Sequence, residues 1–232
     1  MNLLAFDTST EQMSIAVQRR GVVVPWQHTA AGGAHSSTHL IPDIQRLMSQ
    51  AGLRFEELDA IVFGAGPGSF TGLRTACSVA QGLAYGANVP VLPVDTLLAV
   101  AEEARFQTGD AEHLVVTALL DARMDELYAA SYSVDSGLWR QIKGYSLVKP
   151  EDLAWDGGSV LAGNVFAAYG TRLPEGPGLR VLALPTATAM LRLAPALLAA
   201  GAAVPAAQAL PTYIRDKVAQ TTLERAAAKS AA

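Results

Sequence analysis

The stretch Gly64-Ala65-Gly66-Pro67-Gly68-Ser69-Phe70-Thr71-Gly72-Leu73-Arg74 decides how the first half of this chain folds. It follows the apolar run 60–63 and leads into a helical pattern over residues 71–85. Glycine permits positive φ and close approach of another group, while proline fixes one φ. A loop of this composition at a helix N-terminus suits either an anion or a tightly docked partner.

The overall composition excludes several classes of protein. The chain has 232 residues, and its 50% hydrophobic content excludes disorder for most of the length. A net charge of −4 argues against a stand-alone nucleic-acid binder. The single cysteine, Cys77, is typical of a reducing compartment, and Asp7 interrupts the apolar run that a signal peptide would need. The alanine-rich stretch 187–210 contains Arg192 and two prolines and is not a membrane span, so we expect a cytoplasmic protein.

The order of predicted elements indicates a duplicated α/β fold. In the first half, a strand over 1–6 ends in Asp7-Thr8-Ser9-Thr10 and is followed by two β-rich runs. In the second half, a strand over 113–120 ends in Asp121-Ala122-Arg123 and is also followed by two β-rich runs. After its two β-rich runs, the first half continues with a helix over 37–50, a strand over 58–63, the helix over 71–85, a strand over 89–94 and a helix over 96–106. We predict an N-terminal lobe over 1–106, a C-terminal lobe over 107–210, and a C-terminal segment over 211–232 that frays beyond residue 219.

The helix after the glycine-rich loop carries a stripe of small residues. Gly72, Ala76, Ala80 and Ala84 recur every four residues, with Leu73 and Leu83 beside them. Small residues in register let another element approach closely, so two interpretations stay open: internal packing on a sheet, and a helix pair between molecules. The preceding helix shows its own apolar face at helical spacing, which includes Leu40, Ile44 and Leu47.

The glycine-rich loop matches none of the common catalytic or phosphate-binding motifs. Leu73-Arg74 follow Gly72 where a Walker motif needs Lys and Ser or Thr. Ser69 and Thr71 fall where G-x-G-x-x-G needs its third glycine, and Pro67 replaces the first glycine of a nucleophile elbow around Ser69.

Two further sets of residues were weighed as ligand sites. His35 and His39 are spaced to share a helix face, but the sequence offers them no third ligand, so we predict no metal site. Asp7, Thr8 and Ser9 end one strand and Asp121 ends its counterpart. Such acidic strand tips either hold a metal-bound nucleotide between two lobes or cap their turns.

Several segments resemble the TsaB (YeaZ) family. They are Leu4-Ala5-Phe6-Asp7-Thr8-Ser9, Gly66 through Arg74, Ala80-Gln81-Gly82-Leu83-Ala84, Val94-Asp95-Thr96-Leu97, Leu120-Asp121-Ala122-Arg123-Met124 and Tyr213-Ile214-Arg215. The resemblance is strong over residues 1–135 and weak from there to about 205. It implies a two-lobed actin-like fold, similar to sugar kinases and ribonuclease H.

The resemblance also implies a role and a set of partners. Members of this family are similar to non-catalytic partners of a related ATP- and metal-binding subunit, TsaD, and act with a small ATPase, TsaE. Together they form threonylcarbamoyladenosine next to the anticodon of tRNAs. By this resemblance the chain itself requires no cofactor and reaches tRNA indirectly, through the complex. We expect a homodimer when the chain is alone, but the sequence leaves open a monomer that awaits its partner, and also a direct contact with tRNA. The family pattern places glycine after Asp-Ala-Arg-Met, whereas this chain has Asp125, whose charge would repel a phosphate near Asp121.

Two hypotheses follow. In the first, the chain is a scaffold that pairs with TsaD through its first two long helices. The loop Gly66, Pro67, Gly68, Ser69 and Thr71 sets the angle of the second helix, with Ser69 or Thr71 capping it. The predicted contact residues are Leu40, Ile44, Leu47, Gly72, Leu73, Ala76, Ala80, Leu83 and Ala84. In the alternative, the chain is an ATP-dependent transferase or hydrolase that uses Asp7 and Asp121 across a cleft, with Thr8 and Ser9 at the nucleotide.

Overall fold

The first lobe is built on a five-stranded mixed sheet. The computed structural model describes residues 1–215. The strands are β1 (Leu3–Asp7), β2 (Gln12–Gln18), β3 (Trp26–Ala31), β4 (Ala60–Gly66) and β5 (Val91–Asp95), in the order β3-β2-β1-β4-β5. β1 pairs antiparallel with β2 and parallel with β4, and β5 extends the parallel half.

The second lobe repeats this connectivity in a second five-stranded sheet. Its strands are β6 (His113–Arg123), β7 (Glu126–Asp135), β8 (Leu138–Val148), β9 (Val160–Gly163) and β10 (Arg180–Leu182), in the order β10-β9-β6-β7-β8. β6 pairs antiparallel with β7 and parallel with β9, as β1 does with β2 and β4. The predicted duplicated, two-lobed actin-like fold is therefore confirmed.

The helices lie near their predicted positions. They are α1 (Ala34–Ala51), α2 (Phe70–Ala87), α3 (Thr96–Gln107), α4 (Phe166–Tyr169) and α5 (Ala187–Ala199). The sequence did not predict α4 or β10. The second β-rich run after the first strand covers residues 22–26, and its expected strand is wrong: Val23 and Val24 are exposed in the preceding bend and β3 begins only at Trp26. α1 begins earlier than expected, so it includes His35 and holds Pro42 inside the helix rather than near its start.

Each face of the first sheet is covered by a different pair of helices. The side chains of β1 alternate, with Leu4 and Phe6 facing the core under α1 and α2, and Leu3 and Ala5 facing α5 and the start of α3. α3 also packs on the second sheet through Leu97, Val100, Ala101 and Ala104. α3 and α5 thus form a shared layer between the two sheets, whereas α1 and α2 cover the outer side of the first.

The chain crosses back to the first lobe after β10. α5 contacts β1, β2 and β4, and Val204 pairs with Val91 at the edge of the first sheet. The part of the chain assigned from sequence to the C-terminal lobe, 107–210, therefore packs on both lobes.

In residues 1–215 no helix combines the length and apolarity needed to cross a membrane. The fraying predicted beyond residue 219 lies outside the described residues.

Candidate functional site

A cleft of about 440 Å³ opens between the two lobes. One wall consists of residues 9–11, 32–33 and 67–70 of the first lobe, and the opposite wall of residues 120–124 with Tyr128 and Asn164. Residues 212–215 line it from the C-terminal end. Its volume lies within the range of small-molecule sites. Asp121 and Ser9 lie on its walls, whereas Asp7 and Thr8 do not.

The tip of the first strand is sealed rather than open to the cleft. Asp7, Thr8 and Ser9 are 1%, 1% and 2% exposed. Oδ1 of Asp7 accepts hydrogen bonds from the backbone N–H and the hydroxyl of Ser9, at 2.9 and 2.8 Å. The Thr8 hydroxyl donates to the carbonyl of Gly72 at 2.7 Å. The polar groups predicted to hold a nucleotide are thus largely satisfied within the lobe.

The glycine loop (residues 64–72) causes this closure. A Cβ on Gly72 would lie 1.8 Å from the carbonyl oxygen of Thr8, and a Cβ on Gly68 would lie 2.6 Å from Cβ of Ser9. Ser69 N–H donates to the carbonyl of Ser9 at 2.7 Å. Glycine is therefore required here because the loop packs directly on the strand tip.

The predicted helix cap is wrong. Ser69 occupies the N-cap position of α2, but neither its side chain nor any other caps the helix by a hydrogen bond. Thr71 lies in the first helical turn and is exposed. The loop is instead held from outside the helix: the Thr96 hydroxyl donates to the carbonyl of Pro67, whose peptide bond with Gly66 is cis.

The second carboxylate oxygen of Asp7 has no partner among the described residues. Oδ2 is buried without a hydrogen bond, and a Cβ on Gly64 would lie 1.8 Å from it. Burial raises the pKa of Asp7 to about 7, and the two hydrogen bonds from Ser9 only partly oppose this. A carboxyl group that gains a proton on folding and faces no open space is a poor metal ligand.

The second-lobe tip differs in both exposure and partners. The Asp121 side chain is 18% exposed and pairs with Arg123 at 3.3 Å. Its Oδ1 accepts hydrogen bonds from Arg123 N–H and the Tyr169 hydroxyl. Asn164 donates to Glu11 at 3.0 Å, which links the two walls of the cleft. The two acidic tips occupy equivalent strand ends, but only Asp121 faces the cleft.

Asp125 does not act as the sequence suggested. It lies on the β6–β7 turn, where Arg123, Met124 and Asp125 all have positive φ, and it does not line the cleft. Its carboxylate accepts from Arg172 at 2.8 Å, and this guanidinium lowers the pKa of Asp125. The expected repulsion of a phosphate by Asp125 is therefore not supported. Its φ of 64° explains the glycine in the family pattern, since glycine adopts that conformation without strain.

The predicted contact stripe is internal, which corrects its assignment as an intermolecular surface. The buried members, each 1% exposed or less where a side chain is present, are Leu40, Ile44, Leu47, Gly72, Leu73, Ala76, Ala80 and Ala84. Leu83 is half-buried against the same core. The stripe is small because α2 lies close on its own sheet and strand tip. The internal-packing interpretation is the correct one for these residues.

The opposite sides of α1 and α2 are exposed and face away from the sheet together. On α2 this outer face contains Thr71, Arg74, Ser78, Gly82, Tyr85 and Gly86. On α1 it contains Thr38, His39, Ile41, Pro42, Gln45, Arg46 and Ser49. The helical period predicts these positions once the inward stripe is known, so the signal was present in the sequence but was assigned to the wrong face.

Two features near the cleft were not predicted. Arg74 stacks over the Phe70 ring at 3.9 Å and donates to the Tyr213 hydroxyl at 3.2 Å. Arg215 lines the cleft and donates to Glu126 of the second lobe. Only the match of Tyr213-Ile214-Arg215 to the family pattern marked this region.

The rings of His35 and His39 are 5.9 Å apart, and residues 1–215 contain no group of three potential metal ligands.

Fold and site define a two-lobed protein of the actin-like class in which the acidic tip of β1 is buried. The chain matches the family described as TsaD, tRNA N6-adenosine threonylcarbamoyltransferase, over residues 7–231. It is 34% identical to the tRNA threonylcarbamoyladenosine biosynthesis protein TsaB of Haemophilus influenzae, over 94% of this chain and 95% of that protein. Identity to the protein of the same name in Escherichia coli K12 is also 34%, over 94% and 96%.

A solved structure described as YeaZ from Pseudomonas aeruginosa superimposes with a TM-score of 0.83 at 38% identity, covering 92% of this chain and 99% of that one. The chain belongs to the TsaB (YeaZ) family.

Proposed function

We propose that this protein is a non-catalytic scaffold subunit of the complex that forms threonylcarbamoyladenosine next to the anticodon of tRNAs. The names of its relatives, biosynthesis proteins for this modified nucleoside, support the pathway. In this proposal a TsaD-like subunit supplies ATP and metal binding, a TsaE-like ATPase completes the complex, and tRNA is reached through the complex in the cytoplasm.

One observation carries the non-catalytic part of the proposal. Asp7, Thr8 and Ser9 are at most 2% exposed, and the glycine loop packs on them. An ATP-dependent transferase or hydrolase using Asp7 and Asp121 would need both carboxylates at one open site. The distinct environments of these two residues argue against that alternative.

We further propose that the outer face of α1 and α2 is the pairing surface. Ser78, Gly82 and Gly86 are exposed at spacings of four residues on α2, and small residues allow a partner helix to approach closely. Exposed apolar side chains lie beside them, with Ile41 on α1 45% exposed and Tyr85 on α2 83% exposed. The same face would join two copies of this chain when no TsaD-like subunit is present.

The pairing surface is tested by Ser78→Arg and Gly82→Arg. Either substitution places a long, charged side chain in the proposed contact, so the complex with a TsaD-like subunit is lost in size-exclusion chromatography while the circular dichroism is unchanged. Ala196→Arg, on the exposed side of α5, is the matched control and leaves the complex intact. A complex that persists in both α2 variants rules out this surface. Ala80→Arg is unsuitable because Ala80 is fully buried.

A further inference from the structure

The segment 209–215, which we call the C-terminal strap, is fastened to the first lobe along α2. The carbonyl of Ala209 accepts from Gln81 at 2.8 Å and from Cys77. Thr212 N–H donates to the carbonyl of Ala65 at 2.6 Å. The Tyr213 hydroxyl accepts from Arg74, beside Phe70. The strap therefore follows α2 from its C-terminal half to its first turn.

The far end of the strap is fastened to the second lobe. The Arg215 side chain is 12% exposed and pairs with Glu126 at 2.7 Å. It also donates to the carbonyls of Ala122 and Arg123, at 3.0 and 3.3 Å. Ile214 packs against the second-lobe core. Because three acceptors of one turn converge on a nearly buried guanidinium, this contact is stronger than an exposed ion pair.

The strap spans the open side of the cleft, and other groups fix the closed side. There, Asp95 at the start of α3 accepts from Tyr132 of β7, and Glu102 of α3 accepts from Trp139 of β8 and Arg192 of α5. These side-chain contacts join α3 to β7, β8 and α5 on the closed side of the cleft. Across the open side, the described residues provide the Glu11–Asn164 hydrogen bonds and the strap.

We propose that Arg215 is a latch that fixes the width of the cleft and couples it to the outer face of α2. The coupling passes from the β6–β7 turn through Arg215 to Tyr213, and from Tyr213 to Arg74 and Phe70 on the first turn of α2. A partner that contacts Tyr213 and Arg74 would stabilise the strap and so hold the latch closed. The latch itself is independent of the proposed function; its response to a partner rests on it.

The latch is tested by measuring the distance between the lobes. Spin labels on cysteines introduced at the exposed positions Gln50 of α1 and Glu175 of the second lobe report this distance by double electron–electron resonance, while Cys77 is buried and stays unlabelled. The unsubstituted chain gives one narrow distribution. Arg215→Gln gives a broader distribution with a longer mean, because one cross-cleft contact is lost.

Arg172→Gln is the matched control. Arg172 pairs with Asp125 of the same turn but belongs to the second lobe, so its loss leaves the distribution narrow. Glu126→Gln removes the latch from the other side and is expected to reproduce the broadening, which covers the case in which Arg215→Gln fails to fold. Unchanged distributions in both latch variants overturn the proposal.

A second arm separates this proposal from the proposed function. Adding a TsaD-like subunit to the Arg215→Gln chain is expected to restore a narrow distribution. If the two proteins pair in size-exclusion chromatography but the distribution stays broad, the coupling is overturned while the pairing stands. If the unsubstituted chain does not pair with the TsaD-like subunit either, the proposed function fails, and the comparison of latch variants without partner still decides the latch.

Discussion

The two lobes share one strand connectivity and differ in what covers the outer side of each sheet. The first sheet is covered by α1 and α2, of 18 residues each. At the corresponding places of the second lobe, the described chain has only the short helical turn Pro150–Asp152 and the four-residue α4. This difference between the lobes supports the proposal that the outer face of α1 and α2 is a pairing surface.

The strand tips show the same divergence at the level of single residues. Asp7 is buried under the glycine loop, whereas Asp121 faces the cleft and pairs with Arg123. Equivalent acids would be expected to face each other in an enzyme that binds a nucleotide between its lobes. Here the first-lobe acid belongs to the packing beneath α2, and the glycine loop holds the start of that helix against the strand tip.

The largest expected effect comes from adding one methyl group at Gly72. Its Cβ would lie 1.8 Å from the carbonyl oxygen of Thr8, and backbone on both sides leaves no room for relaxation. We expect Gly72→Ala to lower the free energy of unfolding by more than about 4 kcal/mol, measured by urea denaturation. Gly82→Ala on the same helix meets nothing within 4 Å and should raise it by about 0.8 kcal/mol through helix propensity. Equal effects would show that the loop is not packed on the strand tip.

A smaller effect is expected from Asp7→Asn, and it depends on pH. The folded pKa of about 7 lies above the ordinary value of 3.8, so between these values the folded chain holds a proton that the unfolded chain has released. Stability therefore falls as pH rises from about 4 to 7. Asparagine does not titrate, so the variant gains about 4 kcal/mol relative to the unsubstituted chain between pH 4 and pH 8. Urea denaturation across this range measures the difference.

The outcome at Asp7 also bears on the nucleotide-binding alternative. A pH-independent difference between Asp7→Asn and the unsubstituted chain would mean that Asp7 is ionised and accessible. That result would reopen the nucleotide-binding alternative.

The sequence predicted the fold well and the inward face of α2 poorly. Period and turn residues predicted the order of elements along the chain, including α3, which Asp95 caps by accepting from Leu97 N–H. Periodicity could not tell which face of α2 is inward. Ala76 and Ala80 pack on the sheet, but small residues suit a sheet and a partner helix equally well.

Long-range contacts explain why the sequence did not predict the role of Arg215 or the burial of Asp7. Arg215 finds Glu126 and the carbonyls of the β6–β7 turn, which lie about ninety residues earlier, and no local pattern encodes that pairing. The sealing of Asp7 depends likewise on Gly64 and Gly72 from distant segments. Composition marked the glycines as unusual, but only the packing shows what approaches them.

The smallest expected effect is at Asp125, where the second-lobe tip departs from the family pattern. With φ at 64°, replacement by glycine relieves a backbone strain of about 1 kcal/mol, since asparagine and aspartate tolerate this region only in part. The same replacement removes the exposed pair with Arg172, which solvent screens. We expect the two effects to cancel, so that Asp125→Gly changes the free energy of unfolding by less than about 0.5 kcal/mol. Asp125→Val also loses the pair but increases the strain, because a β-branched side chain disfavours positive φ, and should lower the free energy of unfolding by about 1–2 kcal/mol in thermal or urea denaturation. A large loss in the glycine variant would show instead that Arg172 and Asp125 hold the turn, and that the second-lobe tip is as tightly fixed as the first.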